Sequence, residues 1–237
     1  MNDYYQKALD FRKALLDYAD NIFKTYGKEL VLRLEEYNLL SNKNNCIESS
    51  TAVGFVLEEF LVSKLEMYTH SGNETYHIER IEVATTSESY DCFAIKDGIK
   101  FMVNIKAEKN GVNNNAVAAL NKLYGNYCED EPKQIKSYIV LKVGYSIMDG
   151  YDDSITKGGK PRHIRIGNLS AYNLEEIDFT NGHLQDNRSW SQNKSNRNNG
   201  RLGISNAFRQ KHQLPIEEIS YFKTFNMLED IVSNNDI

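Results

Sequence analysis

Two short apolar runs that flank the turn Lys96-Asp97-Gly98 give the clearest hydrophobic pattern in the chain, between residues 89 and 109. Asp-Gly between such runs favours a β-hairpin, because glycine accepts the positive φ angle that a tight turn requires. Apolar and polar residues alternate in the second run, as on the two faces of a strand. One face holds Phe101, Val103 and Ile105, and the other holds Met102, Asn104, Lys106 and Glu108. The pattern predicts a strand that buries the first face and carries polar groups on the second.

Hydrophobic spacing outside the hairpin predicts helices and strands on both sides of it. The predicted helices cover residues 3–24 (ended by Gly27), 28–40, 51–67 (capped by Ser50 or Thr51), 116–127 and 215–233. The predicted strands cover residues 78–85, 137–145 and 163–174, and the second of these is typical of a buried central strand. The asparagine-rich segments 41–50 and 110–115 are predicted loops. This order of elements predicts an α/β protein with a mixed central sheet flanked by helices.

The chain of 237 residues suits one large domain, and we expect a single unit over 1–237. Its predicted parts are N-terminal helices over 1–50 for packing or dimer contacts, a core over 51–148, a polar region over 150–212 and a C-terminal helix over 213–237. In the N-terminal helices, packing or dimer contact is the simplest interpretation of the apolar stripe.

Composition excludes several classes of protein. With 41% hydrophobic and 26% charged residues the chain is typical of globular proteins, and no apolar run approaches the roughly 20 residues that cross a bilayer. The N-terminus has an early Asp3 and no apolar core, so we expect no signal peptide. Cys46, Cys92 and Cys128 are widely spaced and form no CxxC pair, which argues for reduced thiols in the cytoplasm. A net charge of −5 argues against a nonspecific nucleic-acid coat protein but is compatible with one localised basic surface.

The polar face of the hairpin carries the candidate chemistry. Asp91 belongs to the first strand and can converge with Asn104 and Lys106 of the second. A carboxylate, an amide oxygen and a lysine on adjacent strands suit a hard divalent cation with a phosphate beside it. A surface strand with polar residues in chance alternation remains the simpler alternative.

Tyr90-Asp91 followed by Asn104-Ile105-Lys106 resembles the PD-(D/E)xK nuclease superfamily, and most closely its type II restriction endonucleases. That pattern has an Asp on one strand and (D/E)-x-K on the next. Here Tyr90 takes the place of the proline, and Asn104 takes the place of the second acidic ligand. The resemblance implies a restriction-endonuclease-like core, with one anionic ligand fewer than usual.

By this resemblance the protein would hydrolyse phosphodiester bonds in DNA and leave 5′-phosphate and 3′-hydroxyl ends. Asp91, the Asn104 side-chain oxygen and the Ile105 carbonyl would hold Mg²⁺, with Mn²⁺ able to replace it, and Lys106 would orient the attacking hydroxide. Glu108 is a substitute carboxylate for the metal. Glu58, in the predicted 51–67 helix, is the better candidate than Glu59 for a glutamate that faces the site, although both can simply face water. The missing acidic ligand leads us to expect a millimolar Mg²⁺ requirement.

The segment 181–212 is basic in a chain that is acidic as a whole. Between Arg188 and Lys211 there are six Lys or Arg residues and no Asp or Glu. DNA offers phosphates to cations and base edges to Asn, Gln and Arg, so this region is suited to groove contact. The predicted DNA-binding residues are Lys109, Asn113, Asn114, Asn115, Arg188, Gln192, Asn193, Lys194, Asn196, Arg197, Asn198, Asn199 and Arg201. A solvated surface loop of low complexity is the alternative.

Three functions are therefore open. The first is a type II restriction endonuclease that acts as a homodimer on a short palindromic site in double-stranded DNA, in a prokaryotic cytoplasm with a cognate DNA methyltransferase. The second is a nuclease of the same fold in repair or recombination. The third is a sequence-specific DNA-binding protein that has lost catalysis, for which the asparagine at position 104 is the argument.

Overall fold

The protein is an α/β protein in which helices flank a mixed central sheet. The computed structural model describes residues 2–30, 50–70, 78, 80–128, 134–149, 162–180 and 200–234. The helices are α1 (Asp3–Tyr26), α2 (Ser50–His70), α3 (Leu120–Cys128), α4 (Asn206–Lys211) and α5 (Tyr221–Asn234). The strands are β1 (Glu29–Leu30), β2 (Glu82–Val83), β3 (Cys92–Lys96), β4 (Ile99–Lys109), β5 (Ala116–Ala118), β6 (Ile135–Asp149), β7 (Arg162–Asn173) and β8 (Leu202–Gly203).

The central sheet has the strand order β1-β7-β6-β4-β3-β2, and β5 pairs with β8 in a separate small sheet. Strands β4 and β6 are parallel and pair from Ile99–Ile135 to Lys109–Tyr145. The other neighbours in the central sheet are antiparallel. A parallel pair needs a crossover connection, which here contains β5 and α3. The crossover places α3 beside the segment that precedes β3, where Lys122 Nζ donates to the Thr86 carbonyl and Asn126 Oδ1 accepts the Ser89 N–H.

The predicted hairpin is confirmed. Its turn residues Asp97 and Gly98 have φ angles of 52° and 76°, as a two-residue turn of type I′ requires. Pairing between β3 and β4 runs from Lys96–Ile99 to Cys92–Val103 and ends there. Within the described residues, β4 beyond Val103 therefore has no partner strand on this edge. We call residues 104–109 of β4 the open edge.

Each face of the sheet supports its own buried cluster. Helices α1 and α2 cover one face, where Phe11 stacks on Phe101 with ring centroids 4.0 Å apart. Helices α3 and α5 cover the other face and bury Met102 completely. The expectation that β4 buries one face alone is wrong, because Asn104 on the polar face is only 2% exposed. A strand in a parallel pair is covered on both faces, and α3 supplies the second cover.

Several predicted elements are confirmed, and four are wrong in part. The helices over 3–24 and 51–67 and the strands over 137–145 and 163–174 are present, and α1 ends before Gly27, whose φ is 91°. The predicted helix 28–40 is wrong at its start, since Glu29–Leu30 pairs with β7, and its remainder lies outside the described residues. The predicted helix 116–127 begins at Leu120, because Ala116–Ala118 pairs with β8. Strand 78–85 is reduced to Glu82–Val83.

The C-terminal segment predicted as one helix over 215–233 is a 3-10 turn at Ile216–Glu218 followed by α5. The predicted loop 41–50 lies outside the described residues except for Ser50, which begins α2. No helix in the described part of the chain has the length and apolar character needed to span a bilayer.

Candidate active site

Asp91 forms hydrogen bonds with β4 where the open edge begins. Its backbone N–H donates to the Val103 carbonyl at 2.8 Å, and its Oδ2 accepts the Ile105 N–H at 2.6 Å. The carboxylate thus accepts the hydrogen bond from the Ile105 N–H that a backbone carbonyl of a longer β3 would have accepted. Because the N–H and C=O of a strand residue point to the same side, the Ile105 carbonyl also faces this edge. Asp91 and the Ile105 carbonyl are therefore neighbours, as predicted for a metal site.

The side chain of Asn104 is oriented by two hydrogen-bond acceptors. Its Nδ2 donates to the Val117 carbonyl at 2.7 Å and to the Tyr138 hydroxyl at 2.8 Å. Tyr138 uses its own proton to donate to the Ser89 carbonyl at 2.5 Å, so towards Asn104 it acts as an acceptor. Both acceptors require the amide nitrogen, and this leaves Asn104 Oδ1 directed away from them. Asn104 thus has an oxygen that is available to a ligand.

Lys106 lies between two carboxylates from different elements. Its Nζ is 4.0 Å from Glu58 Oε1 of α2, and the two side chains are 20% and 27% exposed. Burial raises the pKa of the Glu58 carboxyl, the charge of Lys106 acts to lower it, and the charge of Asp91 raises it further. Glu59, one residue on, is exposed. The preference for Glu58 over Glu59 as the glutamate near the site therefore matches the geometry.

Burial also raises the pKa of the Asp91 carboxyl. The Lys106 charge and the hydrogen bond from Ile105 lower it, in that order, and Lys122 adds a smaller lowering effect. A carboxylate that is desolvated in this way gains more than an exposed one from a cation placed beside it. The electrostatics of Asp91 thus favour a positively charged ligand or neighbour.

Asp91, Asn104 and Lys106 line one cleft of about 430 Å³. The rest of its lining comes from the 88–89 segment, the crossover and the start of the 200–204 segment: Glu88, Ser89, Ala116, Val117, Ala118, Ala119, Lys122, Gly200 and Arg201. Of the predicted DNA-binding residues that the structure describes, Arg201 alone is among these lining residues. The structure thus brings the predicted triad together and places a basic residue in the same cleft.

Glu108 does not join the cleft, so its predicted role as a substitute metal ligand is not supported by the geometry. Its Oε2 accepts from Lys142 Nζ at 2.7 Å and from the Asn114 N–H at 3.2 Å. The Lys142 side chain on β6 is only 6% exposed, and a buried ammonium requires a counter-ion. Glu108 is that counter-ion.

The loop after β4 is held to the sheet by one of its asparagines. Asn114 Nδ2 donates to the Ala107 carbonyl at 3.2 Å, and Asn114 Oδ1 accepts the Ala116 N–H at 3.2 Å. This side chain therefore shapes the loop and is not presented to a base edge. Lys109 and Asn115 are partly exposed, and Asn113 is exposed. These three remain predicted DNA contacts that lie away from the cleft lining.

The other predicted DNA-binding residues lie outside the described part of the chain. They are Arg188, Gln192, Asn193, Lys194, Asn196, Arg197, Asn198 and Asn199.

The donor atoms of the site fit a hard cation. Asp91, Asn104 Oδ1 and the Ile105 carbonyl are oxygen ligands of the kind that Mg²⁺ binds in proteins. Among the described residues, no group of three or more His, Cys, Asp or Glu side chains is arranged to hold a metal. A cation here would therefore depend on one carboxylate with neutral oxygens beside it. Glu88 is a second acid in the lining of the cleft, and Glu58 Oε1 lies 4.0 Å from Lys106 Nζ.

Sequence patterns did not reveal Lys122, Asn126 or Tyr138 as parts of the site. Asn126 Oδ1 accepts the Ser89 N–H at 2.7 Å, and its amide nitrogen donates to Glu88, so that it holds the segment before Asp91. Lys122 and Asn126 belong to α3, and Tyr138 belongs to β6. Their place in the site depends on the crossover between the two parallel strands, which local spacing does not encode.

Comparison with known proteins adds no relative: no protein-family model and no curated protein matches the chain.

Proposed function

We propose that the protein is a Mg²⁺-dependent endonuclease of the PD-(D/E)xK type that hydrolyses phosphodiester bonds in double-stranded DNA. The observation that carries the proposal is the convergence of Asp91, Asn104 and Lys106 in one cleft at the open edge of β4. The D…N-x-K spacing alone has little specificity. Its support comes from the order of elements along the chain. The helix α2 with Glu58, the hairpin of β3 and β4 and the crossover helix α3 follow one another as a restriction-endonuclease-like core requires.

The proposed biological role is that of a type II restriction endonuclease. A homodimer would cut both strands of a short palindromic site, with one subunit acting on each strand. Such an enzyme works in a prokaryotic cytoplasm beside a cognate DNA methyltransferase. The region 150–212, which includes the basic segment 181–212, is the proposed DNA-recognition region, and its Arg201 lines the cleft.

In the proposed chemistry, Asp91, Asn104 Oδ1 and the Ile105 carbonyl hold Mg²⁺, for which Mn²⁺ can substitute. The ion would supply a more acidic bound water and offset charge on the phosphate. Lys106 orients the attacking oxygen and stabilises the added negative charge of the transition state. Glu58 Oε1 lies 4.0 Å from the Lys106 ammonium and would balance part of its charge, and Lys106 lines the same cleft as Asp91. The products carry 5′-phosphate and 3′-hydroxyl ends.

One observation favours a second candidate, a DNA-binding protein without catalysis. Asn104 stands where an acidic ligand is usual, and its amide nitrogen is held in a buried hydrogen-bond pair. Without that acid, a cation would have less charge to bind to. A nuclease of the same fold in repair or recombination is the third candidate, and it would share the chemistry but lack site specificity.

Incubation of the purified protein with plasmid, with and without Mg²⁺, tests the proposal. Discrete fragments that appear with Mg²⁺ alone support a restriction endonuclease, and ragged degradation or nicking supports a repair nuclease. A plasmid that is shifted in a gel but stays intact supports a binding protein. Asp91→Asn is the matched control, because it keeps the size of the side chain and an oxygen for the Ile105 N–H but removes the charge. We expect this variant to bind without cutting.

A further inference from the structure

We propose that Lys122 and Arg201 form a second phosphate-binding site in the cleft, which holds a DNA phosphate next to the one that is cleaved. The inference rests on the proposed function, because it takes the cleft to receive a DNA strand. It adds residues that lie outside the D…N-x-K pattern.

Lys122 extends from the first turn of α3 towards the segment that precedes Asp91. Its Nζ donates to the Thr86 carbonyl at 2.9 Å, which fixes the ammonium beside residues 86–89. Lys122 also lines the same cleft as Asp91 and Lys106, and it therefore contributes positive potential to that space.

Arg201 is held next to α3 by its neighbour in the chain. Gly200 has a φ angle of 67°, and its carbonyl accepts the Leu120 N–H, at the start of α3, at 3.2 Å. The side chain of Arg201 that follows is exposed. In the described part of the chain neither Arg201 nor Lys122 has a carboxylate within ion-pair distance. Two cations that are not neutralised thus lie in the same part of the cleft.

Among the described residues that line the cleft, cations outnumber carboxylates although the protein is acidic. Lys106, Lys122 and Arg201 stand against Asp91 and Glu88 there, in a chain with a net charge of −5. Glu88 is already hydrogen-bonded to Asn126. Such a local excess of positive charge attracts a polyanion and raises its local concentration.

Several residues that line the cleft are small, which permits the close approach of a strand. They are Ala116, Ala118, Ala119 and Gly200. Small side chains leave room for a sugar–phosphate backbone.

A purely structural role for Lys122 is the competing explanation, since its ammonium holds the Thr86 carbonyl. Two substitutions separate the roles. Lys122→Gln keeps a hydrogen-bond donor but loses the charge, whereas Lys122→Arg keeps both. Arg201→Gln removes the second charge from an exposed position, where folding is not at risk. Lys13→Gln is the matched control, because Lys13 is exposed on α1, which covers the other face of the sheet.

The test measures the dissociation constant for a labelled fragment of a plasmid that the wild-type protein cuts, in the Asp91→Asn background, between about 50 and 200 mM salt. We expect Lys122→Gln and Arg201→Gln each to weaken binding about fivefold and to reduce the slope of log K against log salt by about 0.9, the value for one phosphate contact. Lys122→Arg and Lys13→Gln should keep the slope of the background.

An unchanged slope in both glutamine variants, with a wild type that cuts plasmid, would overturn the second phosphate site and leave the proposed nuclease function intact. If the wild type neither cuts nor binds plasmid, the proposed function fails first and the second site fails with it. A Lys122→Gln variant that loses affinity at every salt concentration without a change in slope would identify Lys122 as structural and also overturn the inference.

Discussion

Tyr138→Phe is the substitution that most sharply probes how the site is held together. The hydroxyl of Tyr138 donates to the Ser89 carbonyl at 2.5 Å and accepts from Asn104 Nδ2 at 2.8 Å. It therefore joins the segment before Asp91 to the middle of β4. The ring is fully buried in the cluster beneath α3, and phenylalanine would keep that packing. The variant isolates the hydroxyl.

Its effect on stability follows from the two groups that lose a partner. The Ser89 carbonyl and one N–H of Asn104 would be left in a buried environment, and each such group costs about 1–3 kcal/mol. We expect a loss of roughly 2–6 kcal/mol in the free energy of unfolding. For a chain of this length that corresponds to a fall in Tm of about 4–24 °C.

Its effect on activity follows from the orientation of Asn104. Without the hydroxyl, one of the two acceptors that direct the amide nitrogen is gone, and Oδ1 is less well fixed towards the cleft. We expect the Mg²⁺ concentration for half-maximal cleavage to rise about tenfold, while the rate at saturating Mg²⁺ changes much less. Cleavage of plasmid across a Mg²⁺ series measures both quantities, and urea denaturation measures the stability.

Tyr4→Phe is the control for this experiment. The Tyr4 hydroxyl donates to the Lys136 carbonyl at 2.8 Å, and neither group lines the cleft. This variant should lose stability and keep the wild-type Mg²⁺ dependence. A Tyr138→Phe protein with both wild-type stability and wild-type Mg²⁺ dependence would refute the proposed part of Tyr138 in orienting Asn104.

Three further outcomes are expected. Gly98→Ala should lower the free energy of unfolding by about 1 kcal/mol, because Gly98 has a φ of 76°. Gly54→Ala inside α2 should raise it by about 0.5–1 kcal/mol, since the new Cβ would contact Ala107 at an ordinary 3.7 Å. Thermal melts measure both changes. Burial raises the pKa of Glu175 to about 7, so its folded state holds a proton more tightly than the unfolded chain. Urea denaturation should therefore show stability falling by up to about 3 kcal/mol as pH rises from about 5 to 8, and falling less in Glu175→Gln. Calorimetric titration with DNA present should give millimolar Mg²⁺ affinity, and micromolar affinity would contradict the one-carboxylate site.

The hairpin could be predicted from sequence because its determinants are local. Asp97-Gly98 sets the turn, and strict alternation along β4 places Asn104 and Lys106 on one face. The approach of Asp91 to that face follows from the register that the turn imposes. These relations involve residues fewer than 20 apart, so a single pattern contains them.

The remainder of the site depends on contacts between distant parts of the chain. Glu108 lies on the polar face of β4 by its spacing, but its carboxylate pairs with Lys142. The pairing of β4 with β6 buries that lysine and places it where Glu108 can neutralise it. Ala116–Ala118 has a helical composition but pairs with β8, and tertiary pairing overrides local propensity. Lys122 enters the cleft only because the crossover turns α3 towards Asp91. Neither the identity of these neighbours nor their distance is written in the local pattern.

The cleavage rate of Lys106→Ala tests the central claim most directly, namely that the polar face of the hairpin is a phosphodiester-hydrolysing site. Single-turnover cutting of plasmid at saturating Mg²⁺ should be slowed about 100- to 1,000-fold relative to the wild type, as expected when one group that stabilises transition-state charge is removed. Lys13→Ala, on the helix layer of the opposite face, should cut at the wild-type rate. A Lys106→Ala protein that cuts as fast as the wild type would contradict the assignment of the site.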